Sequence, residues 1–211
     1  MASALIHIAV AKKINEVLKF KDETKLFVGT VAPDLGKLLG DTKEAGHFET
    51  DNTYLPNLNK FLNKYKLDKE FELGYFIHLY TDLLWFDEFM LNYYKDHILY
   101  LNDGTKIEAE FWVKMRKVYD DYSVLNAKII DIYNLDLDGF LNTYHVDSDI
   151  TEVNLLEIRK LIEQIDGFIE ESRTNENELE VFTLDKIIWF IEDTAKRFIK
   201  EVRSGQFNIS K

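Results

Sequence analysis

The chain has 211 residues, with 26 Lys and Arg against 38 Asp and Glu, a formal net charge of −12 and no cysteine. The absence of cysteine excludes disulfides and thiolate metal sites. The acidic balance, without any basic cluster, argues against binding to a nucleic-acid backbone. A chain of this length can bury about 70% of its unfolded surface, so it needs no metal merely to fold.

The first predicted helix runs from Ala4 to Leu18 and carries His7. Apolar residues follow His7 at helical spacing, at Val10, Ala11, Ile14 and Leu18. His7 therefore faces the interior of the protein. A single inward histidine is more often a core residue than a metal ligand, because one ring nitrogen can bond a carbonyl.

Asp34 follows a short predicted helix, Thr24 to Val31, and comes directly after Pro33. Proline and its neighbours favour a turn leaving that helix. Asp34 is expected either to ligate a metal or to cap the segment that follows, Leu35 to Leu39.

His47 follows Gly46 in a polar stretch, Gly40 to Asn52, which predicts a loop. Gly46 gives the backbone conformational freedom there. A loop histidine is ordinarily exposed, so a role for His47 depends on what lies around it.

The segment Leu73 to Phe86 is apolar almost all round and predicts a helix at the centre of the protein. His78 and Asp82 are four residues apart, so they share one face of that helix and can converge on one point. A buried aspartate costs several kcal/mol unless it is paired or bound to a cation. An H-x-x-x-D pair alone is more often a hydrogen-bonded core pair than a metal site.

Taken together, these imidazoles and carboxylates are ligands typical of zinc or a similar divalent metal. The ordered set resembles the zinc-dependent phospholipase C family, which is related to the single-strand-specific zinc nucleases. The matching segments, within roughly the first 90 residues, are His7, Ala32-Pro33-Asp34, His47-Phe48 and Gly74-x-x-x-His78-x-x-x-Asp82.

The resemblance implies an all-helical fold in which a cluster of zinc ions hydrolyses a phosphodiester. By motif position, one zinc ion would be held by Asp34, His47, His78 and Asp82. Asp82 would bridge to a second zinc ion, which His7 also binds. Asp34 is in addition the catalytic candidate, as a proton acceptor for water.

The chain departs from the family at two places. Secreted members ligate zinc with the amine and carbonyl of an N-terminal tryptophan, whereas Met1, Ala2 and Ser3 stand here. Members with three zinc ions have a histidine at the position of Glu88 and a later H-x-x-x-E, which this chain lacks. One or two ions are therefore expected.

Further ligands could come from other acidic residues. The candidates are Glu88, Asp120 and Asp121, although acidic residues in the middle of a helix more often belong to a solvated face. Surface positions are predicted for His97, His145 and Asp149.

The rest of the chain is predicted to be helical. Thr105-Lys-Ile-Glu108 matches a capping box and predicts a long helix from there to about Tyr133. Further helices are expected at about Glu152 to Glu171 and Thr183 to Val202. We therefore predict one all-α domain over residues 1–211, with the metal site mainly from 1–90 and a helical scaffold over 105–203.

The predicted function is a metal-dependent hydrolase that acts on a small phosphoester, most naturally a phosphodiester, through metal-activated water. The alternatives are a non-catalytic protein that binds or senses a divalent metal, and a helical interaction module with a vestigial site. The sequence contains no stretch of about 18 uninterrupted apolar residues, so it predicts no membrane span. The N-terminus lacks a basic region and a small-residue cleavage site, so a cytoplasmic location is expected.

Overall fold

The computed structural model describes residues 1–40, 43–49 and 55–209, and this part of the chain is built mainly from helices. It contains ten α-helices, and the long ones are α1 (Ala4–Leu18), α2 (Glu23–Val31), α6 (Glu70–Leu84), α7 (Phe111–Tyr133), α9 (Ile158–Thr174) and α10 (Leu184–Arg203). The short ones are α3 (Leu35–Leu38), α4 (Lys43–Gly46), α5 (Leu58–Leu62) and α8 (Asp138–Leu141). The predicted all-α class is confirmed.

The helix α1 begins where its sequence favours it. The Ser3 hydroxyl accepts a hydrogen bond from the backbone N–H of Ile6, and Lys19 ends the helix in the left-handed conformation. α1 contacts α2, α6, α7 and α10. It is therefore a central helix, and the segment from Leu5 to Ala11, which includes His7, is buried.

α2 crosses α6 closely at two glycines. A Cβ atom on Gly29 would lie 2.2 Å from the carbonyl oxygen of Phe71, and one on Gly74 would lie 2.1 Å from that of Leu26. Only residues without a Cβ allow the two backbones to approach so closely. The crossing explains why the sequence motif contains Gly74. The close contact at Gly74 sets the position of the following turns of α6 relative to α2.

The predicted capping box at Thr105 is wrong, because this segment forms a small antiparallel sheet. Its strands are β1 (Tyr94–Lys95), β2 (Ile98–Tyr100) and β3 (Lys106–Ile107), paired in the order β1-β2-β3. Asp103 and Gly104 make the turn before β3, with Gly104 at φ +88°, and the Asp103 carboxylate accepts from the N–H of Thr105. The helix that was expected to start here begins later, at Phe111.

The other predicted helices lie close to their expected bounds. α9 begins at Ile158, later than predicted, because a 3₁₀ turn over Leu155–Glu157 precedes it. Thr183 is the N-cap of α10, and its hydroxyl accepts from the N–H of Lys186. The predicted loop from Gly40 to Asn52 contains the short helix α4, whereas its residues 41–42 and 50–52 lie outside the described part.

A continuous core of apolar side chains joins α1, α2, α6, α7, α9 and α10. Its largest fully buried residue is Trp85, in a π-helical turn that extends α6 over Trp85–Phe89. Among the described residues, no helix combines the length and the apolar character that a membrane crossing requires.

Candidate metal centre

Four separate segments bring the five predicted ligands to one place. His7 comes from α1, Asp34 ends the 3₁₀ turn that follows α2, and His47 directly follows α4. His78 and Asp82 lie one turn apart on α6. All are buried except Asp34, whose side chain is 16% exposed. His47 is thus not the exposed loop histidine that its local sequence favours.

The first group of ligand atoms has the spacing of a metal coordination shell. The Nε2 atoms of His47 and His78 are 3.1 Å apart, and Asp34 Oδ1 lies 3.5 Å from His47 Nε2. Asp82 Oδ2 is 3.6 Å from each of the two nitrogens. Ligands of a tetrahedral zinc ion, each about 2.0 Å from the metal, lie about 3.3 Å from one another. The atoms of Asp34, His47 and His78, which all lie within 4.8 Å of one another, fit such an ion, and Asp82 Oδ2 lies within reach of the two nitrogens.

The second group lies on the other side of the Asp82 carboxylate. Asp82 Oδ1 is 3.4 Å from His7 Nε2 and accepts a hydrogen bond of 3.2 Å from the backbone N–H of Ala2. The ring of His7 stacks on that of His78, with centroids 3.9 Å apart. Asp82 therefore directs one oxygen to each group, as a bridging carboxylate does.

The buried polar atoms of the cluster lack partners of their own. Seven buried side-chain atoms in the described residues make no hydrogen bond, and five of them belong here. These five are both ring nitrogens of His7, Asp34 Oδ1, His47 Nδ1 and Asp82 Oδ2. Leaving such atoms unpaired costs several kcal/mol, and buried carboxylates cost most. Three of the five, His7 Nε2, Asp34 Oδ1 and Asp82 Oδ2, belong to the facing ligand atoms, and a bound cation would satisfy them.

Two neighbours orient the histidines of the first group. His78 Nδ1 lies 2.8 Å from the carbonyl oxygen of Thr30. Because a carbonyl only accepts, Nδ1 carries a proton, and in the neutral ring the Nε2 lone pair points into the cluster. Gly46 directly precedes His47, and its carbonyl oxygen accepts a hydrogen bond of 2.5 Å from the hydroxyl of Tyr75. That bond ties the segment carrying His47 to α6.

The electrostatics keep the carboxylates ionised and two of the histidines neutral. Burial alone raises the pKa of Asp34 and of Asp82, but the neighbouring imidazoles outweigh it and hold both pKa values below their usual range. Burial lowers the pKa of His7 to about 4 and also lowers the pKa of His47. Burial opposes the charge on His78 too, yet Asp82 and Asp34 raise its pKa. Neutral imidazoles and ionised carboxylates are the forms that bind metals.

A cleft of about 530 Å³ adjoins the cluster. Its walls come from the N-terminal segment, α3, α7 and α9. Of the five predicted ligands, Asp34 alone lines it. The cluster therefore reaches the cleft through the Asp34 carboxylate, while His7, His78 and Asp82 remain fully shielded from solvent.

The structure does not bring the additional candidate ligands into the cluster. Glu88 is exposed and binds the Arg197 guanidinium at 2.8 Å, and Asp120 is exposed on the wall of the cleft. Asp121 is buried, but its carboxylate accepts the backbone N–H groups of three consecutive residues, Glu180, Val181 and Phe182.

The predicted surface residues lie at the surface. His97, His145 and Asp149 are exposed, and Asp149 pairs with Lys69 at 2.8 Å.

The N-terminal segment and Thr30 are parts of the site that the sequence did not indicate. The backbone of Ala2 contacts Asp82, and the Tyr122 hydroxyl donates to the carbonyl oxygen of Met1 at 2.6 Å. Backbone of the N-terminal segment therefore occupies the edge of the cluster. Backbone groups carry no residue-type signal, so only the folded structure reveals them.

Comparison with known families agrees with the resemblance and extends it. The chain matches the family described as zinc dependent phospholipase C over residues 6–138, more than half of its length and further than the first 90 residues. Comparisons with curated proteins and with solved structures find no match. The match covers all five clustered residues as well as α7, so the chain belongs to the zinc-dependent phospholipase C family.

Proposed function

We propose that this protein is a metal-dependent hydrolase that cleaves a phosphodiester with activated water. One observation carries the proposal: a buried cluster of three imidazoles and two carboxylates, with five unpaired polar atoms, adjoins a cleft through the partly exposed Asp34. Membership of the family supports metal-dependent hydrolysis, and the phosphodiester is the finer part of the proposal.

The residues divide between two ions. Asp34, His47 and His78 form one group of ligand atoms and would hold one zinc ion, with Asp82 Oδ2 as a further ligand. His7, with the other Asp82 oxygen, would contribute to a second ion. Bound zinc would supply Lewis acidity to a phosphoryl oxygen and lower the pKa of water toward neutrality. The protein supplies neutral nitrogen donors, ionised oxygen donors and a site closed to bulk solvent.

Asp34 has the position of a catalytic residue. Its carboxylate stands between the buried cluster and the cleft, and its lowered pKa keeps it ionised at neutral pH. An ionised carboxylate accepts hydrogen bonds from water and can take up a proton as the water attacks. We therefore assign to Asp34 the orientation of the attacking water in addition to metal binding.

The leading alternative is a protein that binds or senses a metal without catalysis. Four protein ligands around one ion form a closed shell, which is typical of a structural site. The second group argues for catalysis, because His7 and Asp82 supply only two side-chain ligand atoms there and the cleft lies alongside. The third interpretation, an interaction module with a vestigial site, predicts no bound metal.

The test combines metal content with hydrolysis. Protein purified without chelator should contain at least one zinc ion, and it should hydrolyse bis-nitrophenyl phosphate with a rate that rises through about pH 7. His78→Ala should abolish this rate, whereas His145→Ala, a change of the same type at an exposed loop histidine, should leave it unchanged.

A metal-replete protein without activity on phosphomonoesters, phosphodiesters or phospholipids would favour metal storage or sensing. A protein that retains no zinc even after reconstitution would favour the interaction module.

A further inference from the structure

Lys37 lies one helical turn after Asp34 on the wall of the cleft. The backbone is helical from Asp34 through α3, so residues at spacing i and i+3 share a face. Both residues line the cleft. A group bound beside the Asp34 carboxylate is therefore within the range of the Lys37 ammonium.

Lys37 is the only basic residue among those that line the cleft in the described structure. The other charged lining residues are carboxylates, Asp34, Asp120 and Glu171. Among the side chains of the cleft, the three carboxylates repel an entering anion and the Lys37 ammonium attracts it. The charge pattern therefore favours one location for an anion, at the Lys37 end beside Asp34.

An aromatic residue across the cleft positions the Lys37 ammonium. Lys37 Nζ lies 3.4 Å from the Tyr119 hydroxyl and 5.3 Å from the centre of its ring. Tyr119 belongs to α7 and contacts Tyr122, whose own hydroxyl binds the Met1 carbonyl. Within the described residues the ammonium forms no ion pair with a carboxylate, so its charge is available to a ligand.

We propose that Lys37 binds the phosphate group of the substrate and holds it beside Asp34, an inference that rests on the proposed function of the site. An ammonium supplies up to three N–H donors to phosphate oxygens, and such charge-assisted bonds are strong. The contact with Tyr119 holds the flexible lysine stem across the cleft before substrate arrives. Lys37 is a substrate-binding residue in this role, and it is not a metal ligand.

The test measures binding of inorganic phosphate to the zinc-loaded protein by calorimetry. Lys37→Met should weaken phosphate binding at least about tenfold, and Lys37→Arg, which keeps the charge, should weaken it by less than about threefold. The matched control is Lys25→Met, because Lys25 is an exposed lysine of α2 outside the cleft. The control and both Lys37 variants should retain the parent's zinc content.

Kinetics on bis-nitrophenyl phosphate separate this inference from the proposed function. Lys37→Met should raise KM while kcat changes little, because binding of the ground-state phosphate is what is lost. If the parent hydrolyses the diester but Lys37→Met binds phosphate as tightly as the parent, the role of Lys37 is overturned and the function stands.

If the parent binds phosphate in a Lys37-dependent way but hydrolyses no diester, the function fails and the role of Lys37 stands. A parent that binds no phosphate at millimolar concentration, or an equal loss in Lys25→Met, would also overturn the role of Lys37.

Discussion

Two buried aspartates of this protein, Asp82 on α6 and Asp121 on α7, have opposite surroundings. Their exposed fractions are 0% and 1%, so burial does not distinguish them. Both oxygens of Asp121 accept backbone N–H groups at 2.7 to 3.0 Å. Asp82 Oδ2 has no hydrogen bond, and the nearest polar atoms are imidazole nitrogens at 3.6 Å.

The difference shows which feature of a buried carboxylate indicates a metal. Asp121 is satisfied by the loop that it anchors, and its role is to hold Glu180 to Phe182 against α7. Asp82 is left with an unpaired oxygen among histidines that are themselves unpaired. A missing partner, rather than burial or charge, therefore points to the cation.

The largest expected effect comes from Asp82→Asn. The amide fits the same volume but cannot supply two anionic oxygens, so zinc affinity should fall by roughly 1,000-fold, about the cost of breaking a buried charge pair. Competition with a chelating dye measures the affinity, and far-ultraviolet circular dichroism should show unchanged helix content. If the variant holds zinc as tightly as the parent, Asp82 is not a bridging ligand.

The next effect tests the crossing that positions α6. Gly74→Ala places a methyl group 2.1 Å from the Leu26 carbonyl, so it should lower the free energy of unfolding by about 3 kcal/mol. Gly167→Ala is the matched control, because nothing lies within 4 Å of a Cβ there. That helical position should gain up to about 1 kcal/mol. Equal stability of the two variants in denaturant would refute the close crossing.

Asp121→Asn tests the second of the two buried aspartates, the one whose carboxylate is fully hydrogen-bonded. Replacing a charged acceptor of three N–H groups should lower the free energy of unfolding by about 2 kcal/mol. Zinc affinity should stay at the parent value, because Asp121 lies in neither ligand group. A loss of zinc affinity in this variant would mean that Asp121 contributes to the metal centre after all.

The last prediction concerns the pH dependence of the metal-free protein, in which two histidines act in opposite directions. The pKa of His7 is lowered to about 4 in the folded state, so between about pH 6.5 and 4 the unfolded chain binds more protons at this residue. Stability should therefore fall as the pH is lowered through that window. The raised pKa of His78 acts in the opposite direction and offsets part of the loss.

Denaturant unfolding at several pH values, compared between the parent and His7→Gln, isolates the contribution of His7. The variant should lose less stability than the parent on acidification. Identical slopes would show that His7 takes up its proton in the folded state as easily as in the unfolded chain.

Period and residue type predicted the helical class, whereas the set of side chains that meet was implied by the resemblance to the zinc-dependent phospholipase C family. Histidine and aspartate at spacing i and i+4 on an apolar helix identify one half of the site, and the ordered motif identifies the rest. The hairpin before α7 was missed although Asp103-Gly104 is a recognised turn signal. Thr105 matched a capping pattern, but its neighbours pair as strands.

Other features could not be predicted because they depend on contacts between distant segments. The Thr30 carbonyl, the Ala2 amide and the cleft beside Lys37 acquire roles only when α2, the N-terminus and α7 come together. The single-domain organisation, the cytoplasmic location and the metal-ligand role of each residue stay predictions.

The most direct test of whether the histidine and aspartate cluster binds zinc is an anomalous-scattering map from crystals grown with zinc. We predict a zinc peak about 2 Å from His78 Nε2, with Asp34, His47 and Asp82 as its other ligands. A second peak is expected between His7 and Asp82. A map with no peak at His78 would contradict the assignment of the cluster as a metal centre.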